Sequence, residues 1–185
     1  MKTLIICGSP RKNGHTISLI NKLSEKLNGE IEVLYVYNME YSSCIDCRYC
    51  NKKMGCIYTD DFTIFSKKLE ACDNFIIASP LYFGGLTGKL MDFFSRFQTY
   101  FSNNFLRSGD EKFIVKPKNV ALIMVSGSRY PNIDYIAKGQ YTYILSEVNG
   151  TDFGSILLAN TDKLTDDLLE NAYSKIENLA TRLNN

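Results

Sequence analysis

The chain has 185 residues, 45% hydrophobic and 22% charged, with 21 Lys+Arg against 20 Asp+Glu. This balance suits one globular domain with a sizeable core and excludes disorder, and a net charge of +1 leaves no electrostatic footprint for nucleic acid or an anionic membrane. A single histidine, His15, excludes chemistry that needs two imidazoles, whereas six cysteines, four of them between Cys44 and Cys56, make the composition unusual.

Residues 1–8 do not read as a secretory signal, because the apolar run is short and a glycine turn follows at once. The apolar run at 3–7 predicts a buried strand. Ile17, Ile20, Leu23 and Leu27 recur at helical spacing and predict a helix over 16–27. Residues 30–36 half-alternate, as an edge strand does. Residues 37–60 lack periodicity and hold the cysteine cluster. Asp60 or Asp61 then caps a helix running to about Ala71. A second buried strand follows at 74–78. The next helix, 87–101, turns Leu90, Phe93, Phe94 and Phe97 inward. Residues 102–117 form a polar-aromatic excursion ending at Pro117, and 119–125 is a third buried strand. Then come a helix at 133–148, a strand at 155–159 and a last helix at 165–183. Thr165 is the N-cap of that helix, Asp166 and Asp167 favour its positive end, and Leu164 and Leu169 are spaced as a hydrophobic staple. No stretch reaches the roughly 18–20 apolar residues of a membrane span. The expectation is a cytoplasmic protein, where clustered cysteines are more often metal-binding or redox-active than a disulfide framework.

Regular β-α alternation predicts an α/β three-layer sandwich. Its five-stranded parallel sheet has the flavodoxin-like order 2-1-3-4-5, and residues 1–185 form a single domain with a cysteine-rich loop at 37–60. Ligands of such sheets sit outside the carboxyl ends of the strands, so chemistry is sought in the loops after strands one, three and four.

The first loop carries Ser9, Pro10, Arg11, Asn13, Gly14, His15 and Thr16 between a strand and a helix N-terminus. Free backbone N–H groups, hydroxyls, an amide and a cation suit a phosphate. The nucleotide-hydrolysing pattern G-x-x-x-x-G-K-[ST] and the dinucleotide pattern G-x-G-x-x-G are both absent. The competing reading is a plain turn capped by His15 or Thr16. In the second loop, Pro80 turns the chain out of the sheet and Leu81, Tyr82, Phe83 and Gly84 offer flat apolar faces and close backbone approach to a planar ring. The bland alternative is a loop whose aromatics fill core. The third loop contributes Ser126 and Gly127, with an ordinary polar loop as its alternative.

Cys44, Cys47, Cys50 and Cys56 read C-x2-C-x2-C-x5-C. Four thiolates from one short loop can hold a four-iron four-sulfur cluster. Free thiols or a disulfide stand as the second reading and zinc as the third. Cys7 and Cys72 fall on apolar segments and read as buried hydrophobes.

The Gly8-Ser9-Pro10-Arg11 run with Gly14-His15-Thr16 resembles the FMN phosphate loop of the NADPH-dependent FMN reductase family, with His15 at the usual Asn position. Ser79-Pro80-Leu81-Tyr82-Phe83-Gly84 is similar to that family's isoalloxazine loop. The loop at Ser126 would flank the pyrimidine side of the flavin. The cysteine spacing, with the Asp60-Asp61 pair beyond it, resembles the iron–sulfur flavoprotein branch. The resemblance implies an FMN-dependent oxidoreductase that takes hydride from NAD(P)H and passes electrons to a small-molecule or protein acceptor, without a side-chain base. It also implies a homodimer or higher homo-oligomer, with the aromatic excursion at 100–116 as a subunit contact. Two other classes remain: a non-enzymatic flavodoxin-like or iron–sulfur flavoprotein electron carrier, and a flavin-free ligand-binding or hydrolytic protein of the same fold.

Overall fold

The computed structural model describes residues 1–108 and 112–185. Strands β1 (Lys2–Cys7), β2 (Glu30–Tyr35), β3 (Asn74–Pro80), β4 (Lys118–Val125) and β5 (Gly150–Leu158) form one parallel sheet in the order β2-β1-β3-β4-β5. This is the expected order, with β2 on an edge as its half-alternating pattern implied. Period-2 alternation along buried strands divides their side chains between two cores. Leu4 and Ile6 of β1, with Val120, Leu122 and Met124 of β4, face one side, while Ile5, Cys7, Ala121, Ile123 and Val125 face the other. Helices α1 (His15–Ser24) and α7 (Asp166–Leu183) cover the second face. Helices α3 (Asp61–Ala71), α4 (Gly88–Phe94) and α6 (Tyr135–Glu147) cover the first, where Phe62, Phe65, Phe93 and Phe97 pack as an aromatic cluster with Phe65 edge-on to Phe93 at 4.8 Å.

The capping signals act as read. Asp60 is the N-cap of α3 and accepts from the Phe62 N–H at 3.1 Å, while Thr63 Oγ1 accepts from the Asp60 N–H. Thr165 caps α7 through the Leu168 N–H, with Leu164 and Leu169 both packed against the core.

Three segments differ from the sequence expectation. The helix expected over 87–101 is broken: α4 gives way to a 3-10 turn at Ser95–Phe97, a short α5 (Gln98–Phe101) and a π-helical turn at Ser102–Leu106. Both Arg96 and Phe97 are buried in the tighter turn. The excursion therefore begins as helix. Asn103 anchors its return by accepting from the Phe113 N–H and donating to the Phe113 carbonyl, and residues 109–111 lie outside the described residues. Strand β5 starts five residues early, in the polar run Gly150–Gly154. Its edge position tolerates exposure, and the register shift opposite Val120–Leu122 falls at Gly154, whose φ is +101°. Finally, a four-residue helix α2 (Tyr49–Lys52) sits inside the cysteine loop. Among the described residues no helix is long and apolar enough to cross a membrane.

Candidate functional site

The carboxyl ends of β1, β3, β4 and β5 open onto a cleft of about 730 Å³. The loop leading into it begins at Gly8, whose N–H continues the ladder to Ala78 O at 2.8 Å and whose carbonyl accepts from Thr87 Oγ1 at 2.9 Å. A Cβ at Gly8 would stand 2.8 Å from Leu90 Cδ2, so α4 can approach this closely only over a glycine. Ser9 Oγ accepts from the Arg11 N–H and donates to the Arg11 carbonyl, both at 3.2 Å, curling the loop back on itself.

Helix α1 starts at Gly14 in extended backbone geometry, with no side-chain cap. The Gly14 carbonyl accepts from the N–H groups of Ile17 and Ser18, whereas those of His15 and Thr16 find no acceptor among the described residues. The turn is thus not capped by His15 or Thr16. Its open N–H groups, together with the Thr16 side chain, face the cleft. Orphaned helix N-terminal donors with the positive end of the helix dipole favour an anion. Ser9, Arg11, Asn13, Gly14, His15 and Thr16 all lie on the cleft wall, and Pro10 does not.

On the opposite wall stand Pro80, Leu81 and Tyr82. The Leu81 N–H bonds Val125 O at 2.7 Å, and Tyr82 and Gly85 exchange two backbone hydrogen bonds of 3.0 and 3.1 Å. The two residues between them, Phe83 and Gly84, have φ of +52° and +78°, the left-handed pair of a type I′ turn. Gly84 is required there, since a Cβ would also meet Ile133 O at 3.0 Å. Phe83 is 103% exposed at the cleft rim, so the alternative of aromatics filling core does not describe it. Neither Phe83 nor Gly84 forms part of the cleft wall.

Gly127 lines the cleft, while Ser126 is buried behind it. The segment after β5 also reaches the cleft, which the reading of loops one, three and four did not include. Thr161 N–H bonds Ser126 O at 3.0 Å and Asp162 N–H bonds Gly127 O at 3.1 Å, which brings Thr161 and Asp162 onto the wall. A Cβ on Gly127 would stand 2.7 Å from the Asp162 carboxylate. Tyr173 of α7, whose hydroxyl meets Ser18 Oγ at 2.8 Å, closes the far end. The one hint in the sequence was that β5 must also end at this edge of a parallel sheet.

The cysteine loop forms a second locus. Its ends are clamped together: Asp61 Oδ2 accepts from the Glu40 N–H at 2.7 Å, and Asp60 Oδ2 accepts from the Ser42 N–H at 3.2 Å. Arg96, 1% exposed, donates to Ser42 O at 2.7 Å and to Asp60 Oδ2 at 2.8 Å. Burial pushes the Asp60 carboxyl up, but the Arg96 hydrogen bond and charge and the Ser42 and Phe62 N–H groups outweigh it and hold it below its ordinary value. The Asp60-Asp61 pair thus serves as both cap and clamp. Cys44 N–H bonds Ser95 Oγ at 3.0 Å, and Ser102 Oγ donates to Cys50 Sγ at 3.3 Å. Cys44, Cys47, Cys50 and Cys56 all line one small cavity of about 30 Å³, and all four thiols are free. Among the described residues no three ligating side chains converge closely enough to hold a single metal ion. The donor set of four thiols on one wall still matches what an iron–sulfur cluster needs. Cys7 and Cys72, by contrast, are buried in the cores; burial pushes the Cys7 thiol up and that of Cys72 to about 11.

The sheet order, with a strand–helix loop that opens helix N–H groups at its carboxyl edge, defines a flavodoxin-like α/β protein. The NAD(P)H:quinone oxidoreductase of Methanothermobacter marburgensis has the same fold, superposing with a TM-score of 0.77 at 15% identity over 100% of this chain and 98% of that one. Residues 1–138 match the family described as NADPH-dependent FMN reductase, and the chain belongs to that family. It is 35% identical over 96 residues to an iron–sulfur flavoprotein of Methanocaldococcus jannaschii, covering 49% of this chain and 48% of that protein. To an iron–sulfur flavoprotein of Archaeoglobus fulgidus it is 29% identical over 150 residues, 80% of this chain and 70% of that protein. The chain thus spans about half the length of the first of these relatives.

Proposed function

We propose that this protein is an FMN-dependent oxidoreductase that takes hydride from NAD(P)H and delivers electrons to a small-molecule or protein acceptor. The observation that carries the reading is the uncapped N-terminus of α1 above a large cleft, in a member of the FMN reductase family. The residues fit the cofactor. The N–H groups of His15 and Thr16, with the hydroxyls of Ser9 and Thr16, would hold the FMN phosphate, and Arg11 adds charge. Leu81, Tyr82 and the backbone at Gly127 would border the ring. When bound, FMN supplies the hydride-accepting centre. The chain's own work is to bind, orient and shield it, with no side-chain base called for.

The four-cysteine cavity supports a further part of the proposal, a four-iron four-sulfur cluster held by Cys44, Cys47, Cys50 and Cys56. The proposal also includes a homodimer or higher homo-oligomer, supported by the bare apolar side chains of Phe105 and Ile114 in the excursion, the latter 94% exposed. Six free thiols support a reducing, cytoplasmic setting.

Anaerobic purification followed by a visible spectrum, FMN, iron and sulfide assays, and stopped-flow mixing with NADPH and NADH tests the reading. Bound FMN bleached by either nicotinamide is the expected result. FMN that binds but is reduced only by a protein partner would instead favour the electron carrier. Protein that takes up no FMN overturns both.

A further inference from the structure

The clamp at the base of the cysteine loop uses more charge than a clamp needs. Glu40 and Asp61 already tie the loop ends there through a backbone hydrogen bond and a Glu40 N–H to Asp61 carboxylate bond, with no buried cation. Arg96 nevertheless brings a full guanidinium into the interior, stacked 4.7 Å from the Phe62 ring and 5.1 Å from the Tyr58 ring. Its terminal nitrogens are satisfied by Asp60 and the Ser42 carbonyl, but its buried Nε has no partner among the described residues. Burying a cation this fully is costly, and the pairing with Asp60 and Ser42 leaves Nε uncompensated.

Arg96 lines the same cavity as Cys44, Cys47, Cys50 and Cys56, whereas its counterion Asp60 does not. Arg96 therefore borders the cavity of the thiols, while Asp60 is not among its lining residues. The other charged side chains on that wall, Asp46 and Arg48, are exposed and pair with each other at 3.5 Å, so solvent screens them.

We propose, on the reading that these cysteines hold an iron–sulfur cluster, that Arg96 is a positioning residue supplying the fixed positive charge beside that cluster and raising its reduction potential. One-electron reduction adds a negative charge to a centre already ligated by thiolates. A desolvated cation stabilises the added charge more than it stabilises the oxidised state. Asp60, paired with the guanidinium and carrying the opposite charge, opposes this, so the two residues act with opposite signs.

The test reconstitutes the whole chain anaerobically with iron and sulfide as wild type, Arg96→Gln, Arg96→Lys and Asp60→Asn. Iron and sulfide content, the electron paramagnetic resonance signal of the dithionite-reduced protein and the potentiometric midpoint are measured. Arg96→Gln is expected to lower the midpoint, Arg96→Lys to recover most of it, and Asp60→Asn, which keeps an N-capping side chain, to raise it. A purely structural clamp would move Arg96→Gln and Asp60→Asn in the same direction, and that result overturns the proposal. So does a fully loaded Arg96→Gln with an unchanged midpoint. Should Arg96→Gln fail to fold or to retain iron, Asp60→Asn decides: an upward shift supports the proposal, while none or a downward one refutes it. A folded wild type that takes up no iron removes the cluster reading, and this proposal with it; a loaded wild type with the wrong variant behaviour removes this proposal alone.

Discussion

Replacing Phe83 by Asn is expected to stabilise the cofactor-free protein. Phe83 and Gly84 form the centre of a two-residue turn closed by the Tyr82–Gly85 pair, with φ of +52° and +78°. A bulky L-residue in the left-handed region costs about 1–2 kcal/mol, and Asn tolerates that region far better. The Phe83 side chain is fully exposed, so its removal forfeits no burial to offset the gain. The net should be about 1 kcal/mol, which for a chain of this length raises Tm by roughly 2–4 °C. Thermal and urea unfolding of FMN-free protein measure it. The same substitution should weaken FMN binding by about 0.5–1.5 kcal/mol if the ring packs on the flavin from the rim. The pairing of the two effects is the signature of strain kept for function. A Tm that fails to rise in cofactor-free protein would refute the strain argument, whatever happens to FMN affinity.

On the proposed phosphate site, Thr16→Ala and Ser9→Ala should each weaken FMN binding by about 1–3 kcal/mol through loss of a buried partner; full yellow holoprotein at limiting FMN would sink the phosphate assignment. Gly8→Ala should destabilise the fold by about 1–3 kcal/mol, because its Cβ would press on Leu90 and Thr87, and denaturant melts check this. The Asp60 clamp has a pH signature. Its carboxyl is held below the ordinary value, so its contribution is present above the unfolded pKa and is lost as pH falls through the lower, folded one. The Ser42 and Phe62 amide resonances should titrate together below about pH 3.9, and a midpoint at or above that value contradicts the pairing with Arg96. In cofactor-free protein at pH 8, iodoacetamide should label the four loop cysteines well before Cys7 and Cys72, whose thiols burial keeps protonated; mass-mapped early labelling of Cys72 would be the contrary result.

Much of this protein was legible because its decisive signals are contiguous. Uninterrupted apolar runs at β1, β3 and β4 can only be strands buried on both faces, and alternation with amphipathic helices then fixes a parallel sheet. The Gly8–Thr16 loop, the Leu81–Gly84 turn and the four-cysteine spacing are likewise local strings. Local spacing also located the cap Thr165 and narrowed the other to Asp60 or Asp61, of which the structure uses Asp60.

Contacts made across the sequence were not legible. Asp162 reaches the cleft because the end of β5 folds onto Gly127, 35 residues earlier in the chain, through backbone hydrogen bonds that leave no pattern in residue type. Arg96 carries no signal in the sequence; a 3-10 turn, packed between Phe62 and the cysteine loop, turns it inward to Asp60. The polar start of β5 looks like loop because an edge strand need not be apolar. The sequence by itself determined which elements form, their order and the chemistry of each loop, because these depend on neighbours at periods of two to four residues. Only the tertiary structure decided which side chains share a cavity and which buried charge borders it, because those depend on packing between elements that the chain brings together only on folding.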